Sequence, residues 1–130
     1  MPYNTIMKND ARQETYQNHF KKGVTTLCIL SVLRHEKEVY GYQLVRLIDR
    51  LSQGKFILQE GTLYPVLYRL EQQGYIVCHK ELVGKKMERV YYRLTESGNT
   101  YYERILQEYN EINAGVHLVL NASSKEYPEC

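Results

Sequence analysis

The stretch from Thr62 to Gln72 carries side chains that are suited to contact a nucleic acid. If the stretch is helical, one side is apolar and the other is polar, aromatic and basic. The apolar side consists of Leu63, Val66, Leu67 and Leu70, and the other side of Thr62, Tyr64, Pro65, Tyr68, Arg69 and Gln72. Arginine pairs with guanine or phosphate, glutamine pairs with adenine, and hydroxyls donate to phosphates. The spacing predicts a helix that contacts DNA by one side; a salt bridge near Glu71 is the alternative role for Arg69.

A second group of basic side chains lies in a predicted β-hairpin. Residues 75–79 and 89–94 are rich in β-branched and aromatic residues, which is typical of strands. The segment between them holds Lys85 and Lys86, and Arg89 begins the second strand. These three cations can neutralise phosphates and would make the affinity for DNA depend on salt. The alternative is an ordinary solvated turn.

No other kind of chemistry has a matching pattern in the sequence. The histidines are scattered, at His19, His35, His79 and His117, and the cysteines lie far apart, at Cys28, Cys78 and Cys130. Neither set has metal-ligand spacing. The sequence also lacks a serine–histidine–aspartate set, paired carboxylates, a phosphate-binding glycine loop and an HExxH motif. We therefore expect no metal site, no cofactor and no enzymatic activity.

Length and composition indicate one globular domain. The chain has 130 residues, of which 43% are hydrophobic and 25% charged, as in ordinary globular proteins. No apolar run approaches the roughly 18–20 residues that span a bilayer. The first 22 residues are too polar for a signal peptide. We therefore expect a cytoplasmic protein that does not contact membranes.

The charges divide unevenly along the chain. Residues 1–95 contain 15 Lys and Arg and 9 Asp and Glu, a net charge of +6, whereas residues 96–130 contain 2 and 6, a net charge of −4. A basic body suggests a polyanionic partner. Accidental segregation on a solvated surface is the alternative.

The order of the predicted elements is that of a winged helix-turn-helix. Apolar periodicity and stop signals predict helices over about residues 11–22, 24–33, 40–51 and 61–73. The hairpin follows, and Thr95 caps a long helix. In this arrangement the second helix crosses the DNA backbone and the third lies in the major groove.

We therefore predict a mostly α (α+β) fold with a two-stranded wing. Its parts are a winged-helix DNA-binding domain over residues 20–95, a C-terminal dimerisation helix over 96–121, and a polar extension and tail over 1–19 and 122–130.

The long C-terminal helix has an apolar seam. Its members are spaced 3, 4, 3, 4 and 3 residues apart: Tyr102, Ile105, Tyr109, Ile112, Val116 and Val119. This is the a/d pattern of a coiled coil, which needs a partner. A second copy of the chain is one partner, and the chain's own first helix is the other.

Three motifs resemble the PadR family of bacterial transcriptional regulators. They are YGYQL at residues 40–44, EGTLYPVLYRLE at 60–71 and RVYYRLTESG at 89–98. The resemblance covers about residues 20–120. The single long C-terminal helix is similar to that of the short subgroup, which includes multidrug-responsive repressors.

The resemblance implies a homodimeric repressor that binds double-stranded DNA. Its two recognition helices would enter successive major grooves of a pseudo-palindromic operator, about 34 Å apart. The family's motif places DNA contacts on Thr62, Tyr64, Pro65, Tyr68 and Arg69, and it places Tyr40, Tyr42 and Gln43 near the DNA backbone.

The resemblance also implies a small aromatic effector. In the multidrug-responsive members a tryptophan sandwiches planar ligands at the dimer interface, and Tyr109 stands at that position here. The other positions that match the pore lining are Phe20, Leu27, Ser31, Leu106 and Asn113. Tyrosine offers a smaller stacking face with a polar tip. The alternative is a dimer seam that Tyr109 and Ile112 fill without a ligand.

The sequence thus predicts a small winged-helix repressor that an effector relieves. The alternative from another class is a winged-helix protein-interaction module without specific DNA binding. The basic wing favours DNA over this alternative. A sensor that binds DNA only after modification is a further possibility that the residues leave open.

Overall fold

The computed structural model describes the backbone of residues 3–128 and the side chains of Gln17 and residues 19–128. Within these residues the elements are α1 (Tyr3–Glu36), β1 (Val39–Tyr40), α2 (Gly41–Leu51), α3 (Glu60–Gln72), β2 (Ile76–Val83), β3 (Met87–Leu94) and α4 (Glu96–Leu120). Helices α2 and α3 form the helix-turn-helix, and β2 and β3 form the wing. The order confirms the predicted fold. Cys130 lies outside the described residues.

The first helix is longer than the sequence pattern predicted. Separate helices were expected over 11–22 and 24–33, but α1 continues through Gly23. A single glycine costs a helix only about 1 kcal/mol relative to alanine. The buried side chains of Ile29, Leu30 and Leu33 anchor the second half of α1 in the core. The predicted break was therefore wrong.

The sheet has one strand more than the predicted two-stranded wing. Its strand order is β1-β3-β2, and both pairs are antiparallel. In the extra strand, Val39 pairs with Tyr92 and Tyr40 pairs with Tyr91. A strand of two residues is too short to show the alternation that marks a strand in sequence. The edge strand joins the start of α2 to the base of the wing.

The core lies between α1, the helix-turn-helix and the sheet. Its buried members on α3 are the four that the apolar side predicted: Leu63, Val66, Leu67 and Leu70. They pack with Leu44, Leu47 and Ile48 of α2 and with Ile76 of β2. At about 1.5–3 kcal/mol for each fully buried aliphatic side chain, this burial fixes how α3 is rotated about its axis.

The start of α4 is fixed to the base of the wing. Thr95 is the N-cap as predicted, because its Oγ1 accepts a hydrogen bond from Gly98 N at 3.0 Å. Thr95 also donates from its backbone N to Tyr75 O at 3.0 Å and from its hydroxyl to Gly74 O at 2.7 Å. Gly98 lies so close to Tyr75, the residue before β2, that a Cβ at position 98 would be 1.9 Å from Tyr75 O. The junction therefore requires glycine at position 98.

We expect Gly98→Ala to destabilise the protein by about 1–3 kcal/mol, since backbone atoms, which cannot rotate away, occupy the space of the new methyl group. Urea unfolding followed by circular dichroism measures this. The matched control is Gly61→Ala in α3, where a Cβ would meet no atom within 4 Å. The control should be as stable as the wild type or more so. Equal stability of the two variants would contradict the close contact.

Candidate nucleic-acid interface

The outward side of α3 is exposed along its whole length. Thr62, Tyr64, Pro65, Tyr68 and Arg69, which sequence analysis assigned to DNA contact, are all exposed, and Tyr68 has 65% of its surface accessible. Among the described residues, no hydrogen bond, ion pair or ring contact engages the Arg69 guanidinium. The proposed salt bridge near Glu71 is therefore not formed. Glu71 instead accepts a hydrogen bond from the Cys78 thiol, with a distance of 2.8 Å between Oε2 and Sγ.

The outward side of α3 borders a cleft on the side of the wing. Tyr40, Tyr42, Tyr64 and Arg89 line this cleft, together with residues of β3. The Tyr64 ring lies against Gly41, the first residue of α2. A Cβ at Gly41 would be only 2.7 Å from Tyr64 Oη and 2.9 Å from its Cε1. Residues from three segments that are distant in sequence thus meet at one edge of the recognition surface.

Arg89 is held at this edge by an aromatic ring. Its guanidinium carbon lies 4.2 Å from the centre of the Tyr40 ring, which is the geometry of a cation–π contact. Tyr40 in turn meets the edge of the Tyr91 ring at 5.7 Å, and Tyr91 stacks on His79 at 5.6 Å. The row of rings orients Arg89 without neutralising it. The charge therefore stays available to an anion.

The two wing lysines lie at the tip of the hairpin. Val83 pairs with Met87, so Gly84, Lys85 and Lys86 form the loop between β2 and β3. Gly84 has a φ of +76°, a conformation that glycine adopts without strain. Both lysines are exposed, and no ion pair within the described part of the chain involves either of them. They are placed to reach beyond the body of the domain.

Gln43 and Tyr42 have different surroundings at the start of α2. Gln43 is half-buried, and its Oε1 accepts a hydrogen bond from Tyr40 N at 3.4 Å, so it helps to cap the helix. Tyr42 is exposed, with the Arg46 guanidinium 6.0 Å from its ring centre. Of the two, Tyr42 is the one whose polar end is available to a phosphate.

Tyr92 of β3 also lines the wing cleft. Burial, with further contributions from Cys78, Tyr64 and Glu71, raises the pKa of its hydroxyl. The hydrogen bond to Glu71, together with partial burial, raises the pKa of the Cys78 thiol. Burial likewise raises the pKa of the Cys28 thiol, which packs against the core. All three groups are therefore held in their neutral forms, and none adds negative charge to the interface.

A cluster that sequence reasoning missed lies on the outer side of the wing. His79 faces two carboxylates: its Nδ1 lies 3.5 Å from Glu38 Oε2, and its Nε2 lies 3.2 Å from Glu81 Oε1. All three side chains are well exposed. Each ring nitrogen of His79 thus faces a different carboxylate at the surface. No sequence signal connects Glu38 to His79, because they are 41 positions apart and meet only through the sheet.

The predicted seam of α4 divides into two parts. Tyr102 is 7% exposed and donates its hydroxyl to Ser31 Oγ at 3.2 Å, and Ile105 is half-buried against the core. This part of the seam packs on the chain's own α1, which was the second of the two partners that the sequence suggested. The second part is exposed and consists of Tyr109, Ile112, Val116 and Val119. Ile112 has 70% of its surface accessible.

A cleft of about 770 Å³ lies between α1 and α4. Four of the six residues that match the pore lining are in its wall: Phe20, Leu27, Tyr109 and Asn113. The other two are not. Ser31 is engaged by Tyr102, and Leu106 lines a shallow depression beside Glu103 and Glu111.

Within the described residues, no helix has the length and apolar character needed to cross a membrane.

Comparison with known proteins gives consistent matches. The family model described as "Transcriptional regulator PadR-like family" matches residues 29–104, which include α2, α3 and the wing. The PadR family transcriptional regulator of Eggerthella lenta has 27% identity and a TM-score of 0.74, and the match covers 90% of this chain and 99% of that one.

Two further matches cover a smaller share of the other protein. Bacillus subtilis PadR in complex with operator DNA has 28% identity and a TM-score of 0.59, over 64% of this chain and 46% of that one. Transcriptional regulator YqjI of Escherichia coli is 34% identical over 87 residues, which are 67% of this chain and 40% of that protein. The matched region is therefore less than half of the length of each of these two proteins.

We expect the Tyr40 ring and the Arg89 guanidinium to stabilise each other by about 0.5–1 kcal/mol, the usual range for an exposed cation–π pair. A double-mutant cycle with Tyr40→Leu and Arg89→Ala, measured by urea unfolding, gives this coupling energy. Tyr40→Phe is the control, because it keeps the ring: Arg89→Ala should cost the same in that background as in the wild type. A coupling energy of zero within error would show that the ring does not hold Arg89.

Proposed function

The chain belongs to the PadR-like family of transcriptional regulators, whose model covers more than half of it, and from this premise we propose that it binds operator DNA through α3 and the wing. The observation that carries the proposal is the outward side of α3, where five predicted contact residues are exposed and Arg69 has no partner among the described residues. Basic residues flank this side: Arg89 at the wing cleft and Lys85 and Lys86 at the wing tip.

Each part of this surface has a distinct role in the proposal. Arg69 and Gln72 read base edges in the major groove, whereas Thr62, Tyr64, Tyr68 and Tyr42 donate hydroxyls to phosphates. Pro65 contributes an apolar contact, and Tyr40 orients Arg89 toward the backbone. Gln43 supports this geometry through its hydrogen bond to Tyr40. Lys85 and Lys86 neutralise phosphates beyond the recognition helix.

We propose further that the regulator is a homodimer through the second half of α4. Tyr109, Ile112, Val116 and Val119 form an exposed apolar stripe at heptad spacing, which a second copy would cover. A two-fold dimer presents two recognition helices, so the operator would be pseudo-palindromic with half-sites about 34 Å apart. We propose repression as the outcome of this binding.

The cleft between α1 and α4 is the candidate binding site for an effector. Phe20, Leu27, Tyr109 and Asn113 line it, and the exposed stripe of α4 continues from it, so a second copy would close its open side. We propose that a small aromatic molecule binds there and relieves DNA binding. The alternative, in which Tyr109 and Ile112 of two copies fill the space, predicts no ligand.

The proposed function is tested by fluorescence anisotropy on the DNA upstream of the protein's own gene, with random duplex as the control. We expect the upstream DNA to bind at least roughly 10³-fold more tightly than the random duplex, since specific binding usually exceeds non-specific binding by roughly 10³–10⁷. Equal and weak binding to both duplexes would contradict the proposal. It would favour a winged-helix module that binds another protein.

We expect Arg69→Ala to weaken binding to the operator by about 1–3 kcal/mol and to reduce discrimination at one base pair, as the loss of a bidentate arginine–guanine contact does. The measurement is competition anisotropy against single-base operator variants. Arg104→Ala is the control, because it removes the same charge from α4, where the guanidinium lies over the Tyr101 ring. Unchanged discrimination in the Arg69 variant would exclude base reading by this residue.

We expect Ile112→Asp to convert the dimer to monomers, because it places a charge in the proposed apolar interface. Analytical ultracentrifugation measures the mass. Asn110→Asp puts the same charge on another side of α4 and should leave the dimer intact. Because Ile112 is exposed in the single chain, its substitution should not unfold the body of the domain. An intact dimer of the Ile112 variant would place the interface elsewhere.

A further inference from the structure

A basic notch lies on the side of α3 that faces α1. It is a cleft of about 440 Å³ between the middle of α1, the loop before α3 and α3 as far as Arg69. Its basic lining residues are Lys21 and Lys22 of α1 and Arg69 of α3, and Thr26, Gln59 and Thr62 add polar groups. The sequence pattern did not reveal this notch, because Lys21 and Arg69 are 48 positions apart.

The charge of the notch is of one sign. Three of its lining residues are cations, and none of the described residues that line it is acidic. Lys21 is half-buried and Lys22 is exposed, and neither forms an ion pair with another described residue. Concave sites lined by one sign of charge focus the electrostatic potential and attract the opposite charge. The notch is therefore suited to an anion.

The notch is continuous with the surface proposed to contact DNA. Thr62, Pro65 and Arg69 belong both to the lining of the notch and to the outward side of α3. The wing cleft with Tyr64 and Arg89 lies along the other edge of the same helix. A recognition helix in a major groove has a sugar–phosphate strand on each side. In the proposed complex the two edges of α3 would face the two strands; each edge carries basic residues, and Glu88 also lines the wing cleft.

We propose that the notch binds a backbone phosphate of the operator and that Lys21 and Lys22 of α1 are DNA-contacting residues. Lysine suits this role, since its ammonium is a compact charge on a flexible stem and needs no planar partner. Phosphate contacts fix the register of a protein on its duplex and carry no sequence information. The first helix would therefore position α3 in the groove. This inference rests on the proposed DNA binding.

The experiment compares the salt dependence of operator binding in three double variants. Each phosphate contact contributes about 0.9 to the slope of log affinity against log salt concentration. We expect Lys21→Ala/Lys22→Ala to reduce the magnitude of the slope by up to roughly two units, and Lys85→Ala/Lys86→Ala at the wing to reduce it to a similar extent. Arg104→Ala/Lys125→Ala removes the same charge from α4 and the tail and should keep the wild-type slope. Discrimination between operator and random duplex should stay unchanged in the Lys21/Lys22 variant.

The outcomes separate the inference from the function on which it rests. A wild-type slope in the Lys21/Lys22 variant, with intact binding by the wild type, would overturn the notch as a phosphate site and leave the proposed function standing. No specific binding by the wild type would overturn both. A thermal-shift titration with inorganic phosphate against chloride at equal ionic strength is the third arm. A phosphate-specific stabilisation that the Lys21/Lys22 variant loses, together with a wild-type salt slope for its operator binding, would assign the notch to a small free anion and overturn the DNA contact.

Discussion

The burial of one side of α3 is the constraint on which the rest of the recognition surface depends. Leu63, Leu67 and Leu70 are almost completely inaccessible to solvent. Turning the helix to hide any outward residue would expose them, at a cost of about 1.5–3 kcal/mol for each aliphatic side chain. The core therefore determines which side chains point outward. The surface that faces DNA in our proposal follows from the hydrophobic effect acting on the opposite side of the same helix.

Two glycines allow close contacts between the elements that surround this surface. Gly98 lets α4 approach Tyr75 at the base of the wing, so the C-terminal helix leaves the domain in a fixed direction. Gly41 lets the Tyr64 ring lie against the start of α2, which closes the cleft beneath Arg89. In a dimer joined through α4, the first contact would set the distance between the two recognition helices. Both glycines stand in the motifs that resemble the family, and the close approaches give a physical reason for them.

Local signals in the sequence were sufficient for most of the fold. The helical period predicted the two sides of α3, and Thr95 as an N-cap marked the start of α4. Contacts between distant segments could not be predicted, because no periodicity records them. Examples are the pairing of Val39 with Tyr92, the contact of Arg89 with Tyr40, and the cleft that both Lys21 and Arg69 line. The heptad seam was ambiguous for a related reason: Tyr102 and Ile112 fit the same pattern, but Tyr102 is buried and bonded to Ser31 of α1, whereas Ile112 is 70% exposed.

The most direct test of the account is methylation interference on the operator. Methylation of guanine N7 blocks contacts in the major groove, whereas methylation of adenine N3 blocks the minor groove. The account predicts that N7 methylation of a guanine in each half-site prevents binding, that the two positions lie about 10–10.5 base pairs apart, and that Arg69→Ala loses the effect. Interference confined to adenine N3, or N7 interference that persists in the Arg69 variant, would contradict recognition of the major groove by the outward side of α3.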